Sequence, residues 1–154
     1  KSIKFSDIKL ANLSKPELPI RTGDSLLVKF DYSKKKEVTS PAFVIFLRDM
    51  FGQEILRLST MPISGYSISS LFEKGAVELE INNIPLVAGQ YSIDIGFARE
   101  RTEWLAKLEG VIDFDICPQD IYNSGLLMDR SRGLIVVNHR WKHRSIDEED
   151  KQLR

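Results

Sequence analysis

The segment from Ala76 to Ala98, AVELEINNIPLVAGQYSIDIGFA, constrains the fold of this chain more than any other. Val77, Leu79 and Ile81 alternate with Glu78 and Glu80, the period-two pattern of a strand with one face in a core and one in water. The strand runs into a corner, Ile84-Pro85-Leu86-Val87-Ala88-Gly89, and leaves it as a second strand opened by Tyr91. A Leu-x-x-Gly-x-Tyr corner of this kind carries a chain from one sheet of a β-sandwich to the other, with the tyrosine hydroxyl pinned to the corner backbone. Two facing sheets are therefore expected, and a sandwich without a catalytic constellation is expected to bind rather than react.

About eight strands can be read along the chain. Ile3, Phe5, Ile8 and Leu10 give a first strand whose alternation breaks near Asp7, as a bulge would cause. Leu26, Val28, Phe30 and Tyr32 give a one-faced strand. Residues 42–48 are apolar on both faces, the mark of a central strand or of one whose outer face meets a partner. The turn Asp49-Met50-Phe51-Gly52 leads into its hairpin partner, 53–59. Residues 60–75 read as a long loop with one helical turn at 69–73. Strands at 76–82, 90–99 and 110–117 follow, with 100–108 as a polar loop holding Trp104. After another loop at 120–132, Leu134-Ile135-Val136-Val137 forms a last strand ending near Trp141. Short strands at this spacing predict an all-β sandwich over residues 1–142, followed by a charged tail, 143–154.

A chain of 154 residues makes one domain, long enough to bury about 70% of its unfolded surface without staples. Lys+Arg and Asp+Glu both number 22, so no net field draws in a polyanion, and neither nucleic acid nor an anionic membrane surface is an expected partner. Lys34-Lys35-Lys36 reads as a solvated hairpin tip. Cys117 is alone and ends an apolar alternation, which suggests a small, inert, largely buried thiol and is consistent with a reducing compartment. Asn12-Leu13-Ser14 is a formal glycosylation sequon without a secretory context. The chain begins at Lys1, with no signal peptide, and is expected to be a piece of a longer protein.

Catalytic chemistry finds little support. His139 and His143 stand four apart but continue a β-branched segment with no third ligand beside them, so neither a metal nor a cofactor is expected. There is no nucleophile elbow and no glycine-rich phosphate loop. Asp94, Asp113 and Asp115 share the outward register of their strands and read as solvent-facing. Binding is better served. With Ile45 and Leu47 inward, Phe46 and Arg48 point outward, as do Ser92, Asp94 and Asp113 on neighbouring strands. Carboxylates, guanidinium groups and an aromatic face are what a sugar needs. Gly96 leaves a dent where a ligand or Phe46 can approach the backbone. Arg48 or Arg57 can pair with Asp94, and Arg99 with Trp104 borders the same end, where Trp104 either meets a ligand or folds back as a lid on the core. The candidate carbohydrate site is thus Phe46, Arg48, Arg57, Ser92, Asp94, Arg99, Trp104 and Asp113.

The elements Asp49-Met50-Phe51-Gly52-Gln53-Glu54-Ile55, Leu86-Val87-Ala88-Gly89-Gln90-Tyr91, Ile112-Asp113-Phe114-Asp115-Ile116 and a closing Gly133…Trp141 resemble, in order and spacing, the C-terminal domain of Wzt. Wzt is the ATP-binding subunit of ABC transporters that export O-antigen polysaccharide. The resemblance implies an Ig-like or jelly-roll sandwich and a non-catalytic carbohydrate-binding module. Such a module would recognise the modified non-reducing terminus of the polysaccharide and couple chain termination to export. It also implies an N-terminal ATPase half, a transmembrane permease partner and a cytoplasmic place at the inner membrane. A homodimer is implied in which Leu134, Ile135, Val136, Val137, His139 and Trp141 form an exchanged strand. The alternative is a structural dimerisation sandwich that binds no glycan.

Overall fold

A computed structural model describes residues 2–147. The part of the expected charged tail beyond Asp147 lies outside the described residues. Seven strands form two antiparallel sheets: β1 (Ile3–Asn12), β2 (Leu26–Lys34), β3 (Pro41–Asp49), β4 (Glu54–Ser59), β5 (Lys74–Ile81), β6 (Gly89–Arg99) and β7 (Glu103–Ile116). One sheet runs β1-β2-β5 and the other β4-β3-β6-β7. The expected sandwich is present, and its four-stranded sheet joins the segments that alternation had grouped. The bulge in β1 falls between Ser6 and Lys9, with Asp7 at a φ of 50°.

The corner behaves as its sequence demands. Tyr91 O–H donates to the Val87 carbonyl at 2.7 Å, and Ile84, Leu86 and Val87 are almost wholly buried. Between the sheets, Phe43 of β3 meets the rings of Phe30, Tyr32 and Phe97 at centroid distances of 5.7, 5.6 and 5.2 Å. Ile45, Leu47, Ile93 and Ile95 extend this core along both central strands. Each such side chain contributes about 1.5–3 kcal/mol by leaving water, through contacts both across the sandwich, as Phe43 with Phe30, and along one sheet, as Phe43 with Phe97.

Several expectations need correction. The polar stretch 103–108 is strand, not loop: its charges sit on the open face of an edge strand, where water solvates them. No helical turn forms at 69–73; the chain instead turns tightly at Thr60–Ser64, where Met61 is extended (φ −74°, ψ 147°). Ser64 Oγ donates to the Thr60 carbonyl and Gly65 closes the turn at a φ of 78°. Residues 69–73 are instead pulled toward the core through buried Leu71 and the Phe72 N–H, which donates to Tyr32 Oη. Lys34–Lys36 is not a hairpin tip, because β2 pairs with β1 and β5 while β3 belongs to the other sheet; the lysines lie where the chain crosses between sheets, and Lys34 pairs with Glu37. Cys117 is largely though not fully buried, as expected.

No eighth strand forms at Leu134–Val137. Its segment runs beside the corner, where the Val136 N–H donates to the Pro85 carbonyl at 2.8 Å and the Val87 N–H to the Leu134 carbonyl at 3.3 Å. The pairing stops at a single antiparallel bridge, Leu86 with Ile135, and Pro85 has no N–H to continue a ladder. Val136 is buried there, while Leu134, Ile135, Val137 and Trp141 remain exposed. Asn12 of the sequon is likewise a structural residue: its amide donates to Asp24 at 3.0 Å and its carbonyl oxygen accepts from Ser14 and Lys15. Among the described residues no helix is long and apolar enough to cross a membrane.

Candidate functional site

The outer face of the four-stranded sheet can be built row by row, because residues directly opposite on antiparallel strands share a face. Arg48, Ser92 and Asp113 form one row, and Arg57, Phe46 and Asp94 the next. Ser59, Val44, Gly96 and Lys107 form a third, and Ala42, Ala98 and Trp104 a fourth. Four of the expected site residues, Phe46, Arg57, Asp94 and Trp104, therefore converge near the middle of the sheet.

Trp104 does not fold back onto the core. Its indole leans over Gly96 onto Phe46, with ring centroids 5.7 Å apart, and half of it stays exposed. The missing side chain at Gly96 is what admits it, since a Cβ there would lie 2.7 Å from Trp104 Cζ3 and 3.2 Å from Phe46 Cε2. Phe46 is closed off from solvent in consequence. Arg57 and Lys107 lie over its ring at 4.8 and 4.7 Å, and Arg48 at 5.9 Å. Cations over an aromatic face are held by the ring quadrupole, so Phe46 acts as a base plate for charged groups rather than as a contact surface.

Asp94 is buried, not solvent-facing. Arg48 Nε donates to its Oδ2 at 2.6 Å and the Gly110 N–H to its Oδ1 at 2.8 Å. The second bond requires the β7 bulge opposite Ile93–Ile95, where Gly110 takes a φ of 61°. A buried carboxylate is tolerated only when paired and hydrogen-bonded, and the bulge supplies the second donor. Arg57 pairs with Glu54 at 3.0 Å and Arg99 with Glu103 at 2.8 Å. Arg99 Nε is enclosed with no acceptor among the described residues.

Two depressions flank this centre. One, of about 320 Å³, lies between the Thr60–Ser64 turn and the β6–β7 turn, and Arg57, Arg99 and Trp104 line it. The other, of about 560 Å³, lies at the opposite end of the sheet and takes in Ser92 and Asp113. The expected site is therefore divided, with Phe46 and the Arg48–Asp94 pair as the partition. Sequence reasoning missed Lys107, because its strand was read as loop, and missed the wall made by Met61, Pro62 and Ile63. Trp104 and Lys107 share the outer face only because the register slips between Phe97 and Ala98, which simple alternation does not show; the wall carried no signal either. Among the described residues no group of three or more His, Cys, Asp or Glu is placed to hold a metal ion. His139 packs edge-on against Tyr122 and Trp141.

A family model described as the Wzt C-terminal domain matches residues 1–128. The crystal structure of the C-terminal domain of Wzt superposes with a TM-score of 0.73 at 10% identity, covering 93% of this chain and 84% of that one. That likeness concerns the fold. A Niemann-Pick type C2 protein from Japanese carpenter ant aligns at a TM-score of 0.48 and 16% identity, over 75% of this chain and 92% of its own. No protein with a curated description matches the chain.

Proposed function

The chain belongs to the family of Wzt C-terminal domains, and on that premise we propose that it is a non-catalytic carbohydrate-binding module whose outer groove holds the modified non-reducing terminus of an O-antigen polysaccharide. In this role it couples chain termination to export. It works beside an ATPase half and a permease subunit, on the cytoplasmic side of the inner membrane.

One observation carries the reading: a half-exposed indole lines a groove that Arg57 and Arg99 also line. A sugar ring packs its C–H face on an aromatic surface while guanidinium groups donate to its oxygens. Arg99, whose side chain is partly exposed where it lines the groove, supplies such a guanidinium. Ser92 and Asp113, at the far depression, would meet a longer glycan running across the sheet. The module acts as a homodimer by exchange of the segment from Leu134 to Trp141, a proposal supported by the apolar side chains that this segment leaves exposed.

The alternative, a dimerisation sandwich that binds no glycan, called for a partner chain over the outer face of β3. That face is already covered within the chain by Trp104, Arg57 and Lys107, so the apolar character of residues 42–48 needs no partner to explain it. Isothermal titration with the polysaccharide of the parent organism tests the proposal. Saturable binding that disappears when the terminal modification is removed supports it; equal binding of unmodified chains, or no heat with modified ones, refutes it.

A further inference from the structure

The sandwich is not closed equally on its two sides. β1 and β7 touch along one side, whereas β4 and β5 are unpaired edges on the other. Between them lies a slot of about 610 Å³. Its floor is the buried core at Phe30, Phe43 and Ile45, and its walls are Leu58, Ile68, Val77 and Leu79, all only partly buried. The segment joining β4 to β5, which lines the slot, is fastened at both ends. Thr60 Oγ1 accepts the Phe43 N–H at 3.0 Å, and Tyr32 Oη accepts the Phe72 N–H at 3.1 Å.

We propose that this slot binds an aliphatic chain carrying an uncharged, hydroxylated head. The volume is that of a small-molecule site rather than a packing defect, and most of its lining surface is apolar. Ser64, Ser67 and Ser69 ring the mouth together with Glu78 and Glu80, and no Lys, Arg or His lines it. An anionic head group would find carboxylates and no counter-charge, while hydroxyls would find partners of their own kind. Ser59 and Ile63 line both the slot and the outer groove, so the head of an occupant emerges beside the Thr60–Ser64 turn. The slot stands whether or not the groove holds a saccharide.

Octyl β-glucoside below its micelle threshold is a suitable probe, followed by methyl NMR of the full chain. Saturable shifts are expected at Leu58, Val77 and Leu79, with none from free glucose. Each methylene moved out of water tightens binding about three- to fourfold, so hexyl β-glucoside should bind about tenfold more weakly. Octanoate should bind at least tenfold more weakly than octyl β-glucoside at neutral pH. Val77→Trp, which fills the slot, should abolish the shifts; should that variant fail to fold, the wild-type titrations decide alone. The proposal is overturned by unsaturable shifts or by octanoate binding as well as octyl β-glucoside.

Discussion

Arg48 Nε meets Asp94 Oδ2 at 2.6 Å although strand register sets Asp94 opposite Phe46. The diagonal reach places the ion pair beside the Phe46 ring, and the hydrogen bond to Asp94 raises the Arg48 guanidinium above its ordinary pKa. With the Gly110 N–H on its other oxygen, one buried carboxylate fastens β3, β6 and the bulge of β7. Replacing it by alanine strips three strands of a common anchor. Asp94→Ala is expected to lower stability in urea unfolding, with the bond to Gly110 alone worth about 1 kcal/mol. Asp94→Asn, which still accepts from Gly110, should retain more. Equal stability of Asp94→Ala and wild type would contradict this placement.

Trp104 lies on the surface over Phe46, so its removal should separate recognition from folding. Trp104→Ala is expected to weaken glycan binding at least tenfold while the chain stays folded, its stability falling by about 0.5–1.5 kcal/mol for the aromatic pair together with the area that the indole buries. Trp104→Phe, which keeps an aromatic face, should recover most of the affinity. Titration calorimetry and thermal unfolding of the two variants read both quantities.

Gly96 tests the same geometry from beneath. An alanine methyl would stand 2.7 Å from Trp104 Cζ3, and the exposed indole is the group free to move. Gly96→Ala is expected to leave stability within about 1 kcal/mol of wild type, shift Trp104 fluorescence and cut glycan affinity about tenfold. Unchanged fluorescence would mean that the indole is not seated over Gly96.

The corner predicts an alkaline limb. Burial raises the Tyr91 pKa above its ordinary 10.0, so the folded chain holds this proton after the unfolded chain has lost it. The contribution is complete below pH 10 and declines as pH rises through the folded value, because the unfolded state then binds fewer protons. Tyr91→Phe should cost about 1 kcal/mol at neutral pH and flatten the fall in stability above pH 10. A parallel fall in both proteins would place the titrating group elsewhere.

Much of this arrangement was legible in the sequence because the strands alternate. Leu26 to Tyr32, Val77 to Ile81 and Tyr91 to Phe97 each put one face in the core, and the Leu-x-x-Gly-x-Tyr corner named the crossing between sheets. Legibility failed where a strand had no core on one side or no partner at all. Residues 103–108 looked like a loop because the edge of a sheet can carry charges on its open face. Leu134–Val137 looked like a strand because β-branched residues do not reveal whether a pairing edge awaits them. Asp94 looked solvent-facing because the donor that satisfies it is a backbone amide of a bulge, invisible to side-chain pattern. Depressions on the sheet depend on the Thr60–Ser64 turn, whose place alternation cannot fix.

The central claim is that recognition occupies the outer face of the four-stranded sheet, at the groove beside Trp104. Backbone and indole NMR of the chain titrated with an oligosaccharide ending in the native terminal modification tests this most directly. Saturating perturbations of the Trp104 indole N–H and of the backbone amides of Arg57 and Arg99 are predicted, with the three-stranded sheet silent. Perturbations confined to β1, β2 and β5, or none at saturating oligosaccharide, would contradict it.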